Sequence, residues 1–434
     1  MQRRRLEPPE GPLLAGDDGA VLHARGIPYA RAARFAAPQP IAPRSDARDA
    51  TARGPVCPQL PSRLEWVTGP VVDGLEMSED CQVLSVVAPS GADALPVMVW
   101  LHGGAYVSGG GEARKYDADE LARRGRVVVV TVGYRLGMFG FLSPGGVDNL
   151  GLRDQIQALQ WVHDNIGAFG GDPDRVTVFG QSAGADSVLS LMLCEQTAGL
   201  FGRAIMQSAP LGIRDGRDAM TTAMRSAASV ALAGVAAEVA TIGQLLDAQT
   251  AAAAAVARFG LVGGLPFGPI MGSDPLPSAS EAGDRLADAA RRVELLVGYT
   301  RNDGAPFVAI DRRTARLKRL GLVGAVIERA AAAVLTRRVF GMPARRLADA
   351  WRGYGGRSAT YRVDWSPPRA PLGACHCIEL PLLFDEDAWA DAPMLGGGRI
   401  DDRLAETVRR NWSGFAHHGI DGLDSPRRRR DIHF

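Results

Sequence analysis

Net charge is almost absent from this chain of 434 residues: 49 lysines and arginines face 48 acidic residues, leaving +1. A molecule with so weak a field has no whole-surface attraction for nucleic acid or an anionic membrane, and neither partner is expected. Cysteine is scarce as well. Five cysteines (57, 81, 194, 375 and 377) are too few to scaffold a chain this long with disulfides. The Cys375-His376-Cys377 run groups ligand-type residues but lacks the two-residue gap of common zinc sites, so no metal is expected, and no cofactor. Long apolar runs are missing too. The tract TAAAAAVARFG at 250–260 is short, alanine-rich and broken by Arg258, and reads as helix and not as a membrane span. MQRRRLEPPEGPLL carries three arginines with no apolar run behind them, so no secretory or twin-arginine leader is expected and a cytoplasmic location is the default. The SPRRRR run at 425–430 reads as a solvated tail.

What is present is apolar bulk, 46% of the residues, ample for a sizeable core. Pro96–Leu101 (PVMVWL) and Arg126–Gly133 (RVVVVTVG) are nearly continuous β-branched runs, as strands buried on both faces of a parallel sheet should be. A helix is expected between them near Ala118–Arg124. A long amphipathic helix follows over about Asn149–Phe169, with apolar residues at 152, 156, 159, 162 and 166 on one face. Then come strand Val176–Gly180, a helix from Ala183, strand Ala204–Gln207 and strand Val293–Gly298. This alternation predicts an α/β fold, an open, doubly wound, mostly parallel sheet. Two helical insertions, about 210–290 and 313–352, are expected to form a cap or pocket wall, and no linker forces a boundary within 1–434.

Within that pattern VTVFGQSAGADSV at 176–188 places Ser182 between Gly180 and Gly184, where a strand ends and a helix begins. Such a corner lifts the hydroxyl clear of the sheet and aims it at free helix N-terminal amides. The plain alternative is a glycine-rich turn. A nucleophilic serine needs a base, an orienter for the base and oxyanion donors. WLHGGAY at 100–106 follows a buried strand, and the amides of Gly104 and Ala105, with that of Ala183, would make a three-donor hole. Of the four histidines after Ser182 (376, 417, 418 and 433), His376 enters an apolar run, GACHCIELPLLF, while the others sit in a polar tail. Asp303, in the YTRNDG loop after a late strand, is the expected orienter, with a simple turn residue as its alternative. Trp100, Tyr106 and Phe267 are candidates either for shaping the pocket or for core packing.

The runs VMVWLHGGAYVSGGG, VVVVTVGYRLGMFGFL and DNLGLRDQIQALQWVHDNIGAFGGDPDRVTVFGQSAGA, with GIPYA, GPVCPQ, SEDCQVLSVVAP and HCIELPLLF in order around them, resemble the type-B carboxylesterases. The resemblance spans nearly the whole chain and is densest over 78–210. It implies an α/β-hydrolase fold and hydrolysis of a small-molecule ester through an acyl-enzyme. It further implies Ser182 as nucleophile, His376 as base, Asp303 as acid where the family usually has glutamate, and Gly104, Ala105 and Ala183 as the oxyanion hole. By the same resemblance Ser208 stands near the triad, Arg34 and Glu79 form an ion pair, and Cys57 and Cys81 match a disulfide of secreted members, expected here to be reduced. The chain is shorter than typical members around Arg34, between Asp303 and His376 and at its end, which implies a shallower, more open gorge.

The expected activity is therefore that of a serine esterase acting on neutral carboxylic esters as a monomer or weak homo-oligomer. Carbamate, amide or lactone cleavage is the alternative within the same chemistry, and a non-catalytic binding protein the alternative outside it. Gln181 stands where relatives often carry glutamate. Losing that charge beside Ser182, together with the lack of an aromatic lining, disfavours cationic choline esters.

Overall fold

The structure, a computed structural model, describes residues 2–311, 320–424 and 431–434. Its central sheet is built from β1 (Gln2–Leu6), β2 (Leu13–Asp17), β3 (Val21–Pro28), β4 (Val83–Pro89), β5 (Leu95–Leu101), β6 (Val128–Val132), β7 (Gly171–Gln181), β8 (Arg203–Gln207), β9 (Glu294–Thr300), β10 (Ser358–Val363) and β11 (Ile432–His433). The order across the sheet is β1-β2-β3-β4-β6-β5-β7-β8-β9-β10-β11, with a short strand, Arg48–Asp49, paired beside β2. The stretch from β6 through β10 is parallel. The first four strands and the last one pair antiparallel.

The buried apolar runs became the middle of this sheet for the expected reason. Side chains alternate across a strand, so a strand covered on both faces must be apolar at every position. In β5, Val97, Val99 and Leu101 enter one core while Met98 and Trp100 enter the other. The first core is closed by α2 (Leu150–Asn165), α3 (Ala183–Leu193), α6 (Ala282–Arg292) and α8 (Met342–Gly353). The second is closed by α1 (Asp119–Gly125) and α9 (Asp402–His418), whose Trp412 and Phe415 are fully buried. The helix expected over Asn149–Phe169 ends at Asn165 and tightens into a 3-10 turn over Ile166–Phe169.

The chain after β8 carries α4 (Asp218–Ala231) and α5 (Ile242–Ala255) before α6. The later block carries α7 (Gly321–Leu335), a widened π-type turn at Thr336–Gly341, and α8. The part of that block at 313–319 and the arginine run at 425–430 lie outside the described residues. Among the described residues no helix is long and apolar enough to cross a membrane.

Candidate active site

Parallel strands all point their carboxyl ends the same way, and the loops there are the natural place for a site. β7 ends at Gln181, and Ser182 follows with φ 57° and ψ −122° before α3 begins. That conformation is strained for any residue with a Cβ. It is held because the Ser182 amide continues the sheet ladder, donating to the Gln207 carbonyl at 2.8 Å, while the Ser182 carbonyl accepts from Asp186. Gly184 is required just beyond it, since a Cβ there would run into the Leu101 carbonyl oxygen.

β9 ends at Thr300, and its loop brings Asp303 to His376. Asp303 Oδ1 meets His376 Nδ1 at 2.6 Å, and both side chains are fully buried. The other carboxylate oxygen accepts from Ser208 Oγ at 2.8 Å and from the Thr300 amide at 2.9 Å. The aspartate is one methylene shorter than the glutamate usual in the resembling family, and the backbone makes up the distance. Asn302 and Cys375 form a parallel bridge, the Asn302 amide donates to Ala374 O, and the Asn302 side chain accepts from the Ala374 amide. His376 is wedged between Phe307 and Phe340, with ring centroids 5.2 and 5.3 Å away.

With Nδ1–H directed at Asp303, Nε2 of His376 is an acceptor. The group that reaches it is the side-chain amide of Gln181, at 3.1 Å. Ser182 Oγ makes no hydrogen bond among the described residues. The sequence placed Gln181 with Ser208 around the triad and read it for its missing charge; in the structure it is a direct partner of the histidine.

The oxyanion candidates follow β5. Gly104, Ala105 and Tyr106 have φ of 120°, 55° and 62°, so three successive residues lie in the left-handed region. The amides of Gly104, Ala105 and Ala183 donate to no group among the described residues. Gly104 and Ala105 line a cleft of about 480 Å³ together with Ser182 and His376, and Ala183 follows directly on that serine. Tyr134 fixes the loop from below: its hydroxyl donates to His102 O at 2.7 Å and its ring stacks on the His102 imidazole at 4.4 Å. Burial pulls the pKa of His102 down to about 4, so that imidazole is neutral.

Of the three aromatic candidates, none lines the cleft. Trp100 and Phe267 are fully buried core residues. Tyr106 is buried as well and is tied into a polar network that no sequence period signals. Its hydroxyl donates to Asp186 Oδ2 at 2.7 Å, and Asp186 Oδ1 pairs with Arg214 Nε at 2.9 Å. The cleft wall is instead mainly aliphatic, with Tyr116, Phe307, Phe340 and Trp389 as its large rings. Glu379, three residues after His376, is another group that the sequence did not single out. Burial first, and then the charge of Asp303, pushes its pKa up to about 8. The Arg34–Glu79 pair is present, with Arg34 Nε donating to Glu79 Oε2 at 2.8 Å. Cys57 and Cys81 are buried free thiols; the neighbouring Cys57 and then burial push the Cys81 thiol up.

A mostly parallel sheet that gathers a strained serine, an aspartate and a histidine in the loops after β7, β9 and β10 is the architecture of an α/β-hydrolase. A model of the carboxylesterase family matches residues 14–320, and the chain belongs to that family: it is a carboxylic ester hydrolase. It is 41% identical over 413 residues to a probable N-octanoylanthranilate hydrolase of Rhodococcus erythropolis, covering 93% of this chain and 90% of that protein. It is 36% identical to the para-nitrobenzyl esterase of Bacillus subtilis strain 168, covering 94% and 88%. A solved PNB esterase superposes with a TM-score of 0.82 at 32% identity, covering 96% of this chain and 91% of that one.

Proposed function

We propose that this hydrolase works through an acyl-enzyme on Ser182. The hydroxyl displaces the Gln181 amide from His376 Nε2 as substrate fills the cleft, loses its proton to that nitrogen and attacks the acyl carbonyl. The tetrahedral oxyanion takes hydrogen bonds from the amides of Gly104, Ala105 and Ala183, each worth about 3 kcal/mol where such a donor has been removed in other enzymes. His376 then gives the proton to the leaving oxygen, and a water repeats the sequence to release the acid. Asp303 holds the Nδ1–H tautomer and stabilises the imidazolium that forms. Ser208 and the Thr300 amide hold Asp303 in place.

The observation that carries this reading is the 2.6 Å contact between His376 and Asp303 beside a strained serine and three unengaged amides. Carboxylic esters with apolar acyl groups fit the mainly aliphatic wall. The test is hydrolysis of p-nitrophenyl butyrate by Ser182→Ala: turnover is expected to fall by at least about 10⁴ with the fold intact, and near-normal turnover refutes the assignment.

A second reading, cleavage of amides by the same groups, is favoured by the relative from Rhodococcus erythropolis, whose named substrate is an N-acyl compound. Matched ester and amide substrates of one acyl group separate the two. A single domain over the whole chain, a cytoplasmic location and action as a monomer or loose homo-oligomer belong to the same proposal.

A further inference from the structure

Arg63 lies in the LPSRLEW segment and lines the same cleft as Ser182 and His376. It is the one lysine or arginine among the described residues of that lining. Its guanidinium has five N–H donors, and one protein acceptor is on hand: Nη1 donates to Gly264 O at 2.6 Å. No carboxylate pairs with it among the described residues, and the undescribed residues contain no aspartate or glutamate at all. Arg63 is exposed to solvent, and although Glu65 and Asp73 also line the cleft neither pairs with it, so its remaining N–H groups are open to an anion that enters with the substrate.

The position of Arg63 says which part of the substrate carries that anion. Its guanidinium lies over the Phe307 ring, 5.6 Å from the centroid, and Phe307 packs edge-on against His376 at 5.2 Å. End to end these place Arg63 within about 11 Å of the imidazole, on its Phe307 side. The leaving group must be protonated by that imidazole, so it departs on the histidine's side of the cleft. We propose that Arg63 is a carboxylate-binding residue for the leaving group, and that the preferred substrates are esters or amides of carboxylated aromatic alcohols or amines. The ring of such a group lies along Phe307, and its carboxylate takes the fork of free N–H groups that an arginine presents and a lysine does not.

This inference rests on the acyl-enzyme reading above, so its test carries an internal control. The 2- and 3-butyryloxybenzoates, their methyl esters, p-nitrophenyl butyrate and monoethyl glutarate are compared as substrates of the wild type, Arg63→Met and Arg63→Lys. The wild type is expected to hydrolyse one butyryloxybenzoate with a kcat/KM at least tenfold above its methyl ester. Arg63→Met is expected to erase that preference by losing the acid and not the methyl ester, and Arg63→Lys to restore part of it. Equal losses on acid and methyl ester assign Arg63 a structural role and overturn the proposal. An Arg63-dependent preference confined to monoethyl glutarate moves the anion to the acyl side and overturns it too. Failure of p-nitrophenyl butyrate in the wild type would instead overturn the esterase reading itself.

Discussion

Glu379 should make the stability of this enzyme fall as pH rises through the range where most proteins are indifferent. The residue is fully buried, and neither carboxyl oxygen has a hydrogen-bond partner among the described residues. Burial, with the charge of Asp303 nearby, raises its pKa from 4.5 to about 8. In the unfolded chain the group ionises near 4.5; in the folded chain it stays protonated until about 8. The native state therefore binds the extra proton across that window, and its stability falls with pH there, reaching a plateau above the folded pKa. At about 1.4 kcal/mol per pH unit, the full loss is on the order of 5 kcal/mol, of which about 3 has accrued by pH 7. Between pH 7 and pH 9 the group should remove a further 1 to 2 kcal/mol or so. Glu379→Gln mimics the protonated acid without titrating, and the buried Gln207 Nε2 and Tyr361 hydroxyl, both without partners among the described residues, offer donors for its carbonyl oxygen. Urea unfolding of the wild type and the variant at pH 7 and pH 9 isolates the effect, because all other titrating groups cancel in the comparison. The variant should lose less stability over that interval by the stated amount. Parallel losses in the two proteins would refute the reasoning.

Two further outcomes follow from the network around the serine. Tyr106→Phe leaves Asp186 Oδ2 buried without its donor, so native stability should drop by about 1 to 3 kcal/mol in urea unfolding; an unchanged midpoint counts against the link. Gln181→Glu returns a negative charge beside Ser182, so the rate on a choline ester relative to its neutral isostere should rise several-fold, and a constant ratio would remove charge at 181 as a determinant.

The middle of the fold was legible because its strands are buried on both faces, which leaves a signature in composition alone. Leu95–Leu101 and Val128–Val132 stand where the β-branched runs placed them, and β9 runs two residues beyond its expected end. The edges left no such trace. β1, QRRRL, exposes four of its five residues and is a strand because Leu13–Asp17 pairs with it. β10 is half-buried and takes its register from β9. The same division holds at the site. Ser182, His376, Asp303 and the Gly104-Ala105 loop are marked by local chemistry and by their order along the chain. Arg63, Glu379 and the Tyr106–Asp186–Arg214 network are not, because what matters in each case is a neighbour that is present or missing across the fold. Tyr106 and Asp186 are 80 residues apart, and Arg63 and Gly264 are 201 apart.

Backbone strain ties the legible and the hidden parts together. Ten non-glycine residues among those described have positive φ, and five of them, Ala105, Tyr106, Ser182, Ser208 and Cys377, surround the site. Each such conformation costs roughly 1 to 3 kcal/mol and persists only where its surroundings enforce it. The enforcement here comes from the sheet. The Ser182 amide bonds Gln207 O and the Ser208 amide bonds Gly298 O, both at 2.8 Å, so each ladder runs one residue past its strand before the chain turns away. Tyr106 is held at both ends, its carbonyl by the Gly137 amide at 2.6 Å and its hydroxyl by Asp186 on the helix that Ser182 begins. The Gly104–Ala105 loop and the serine corner thus share one helix as their support. A change that loosens Tyr106 should move the amides of Ala105 and Ala183 relative to each other, and so lower kcat more than it alters KM.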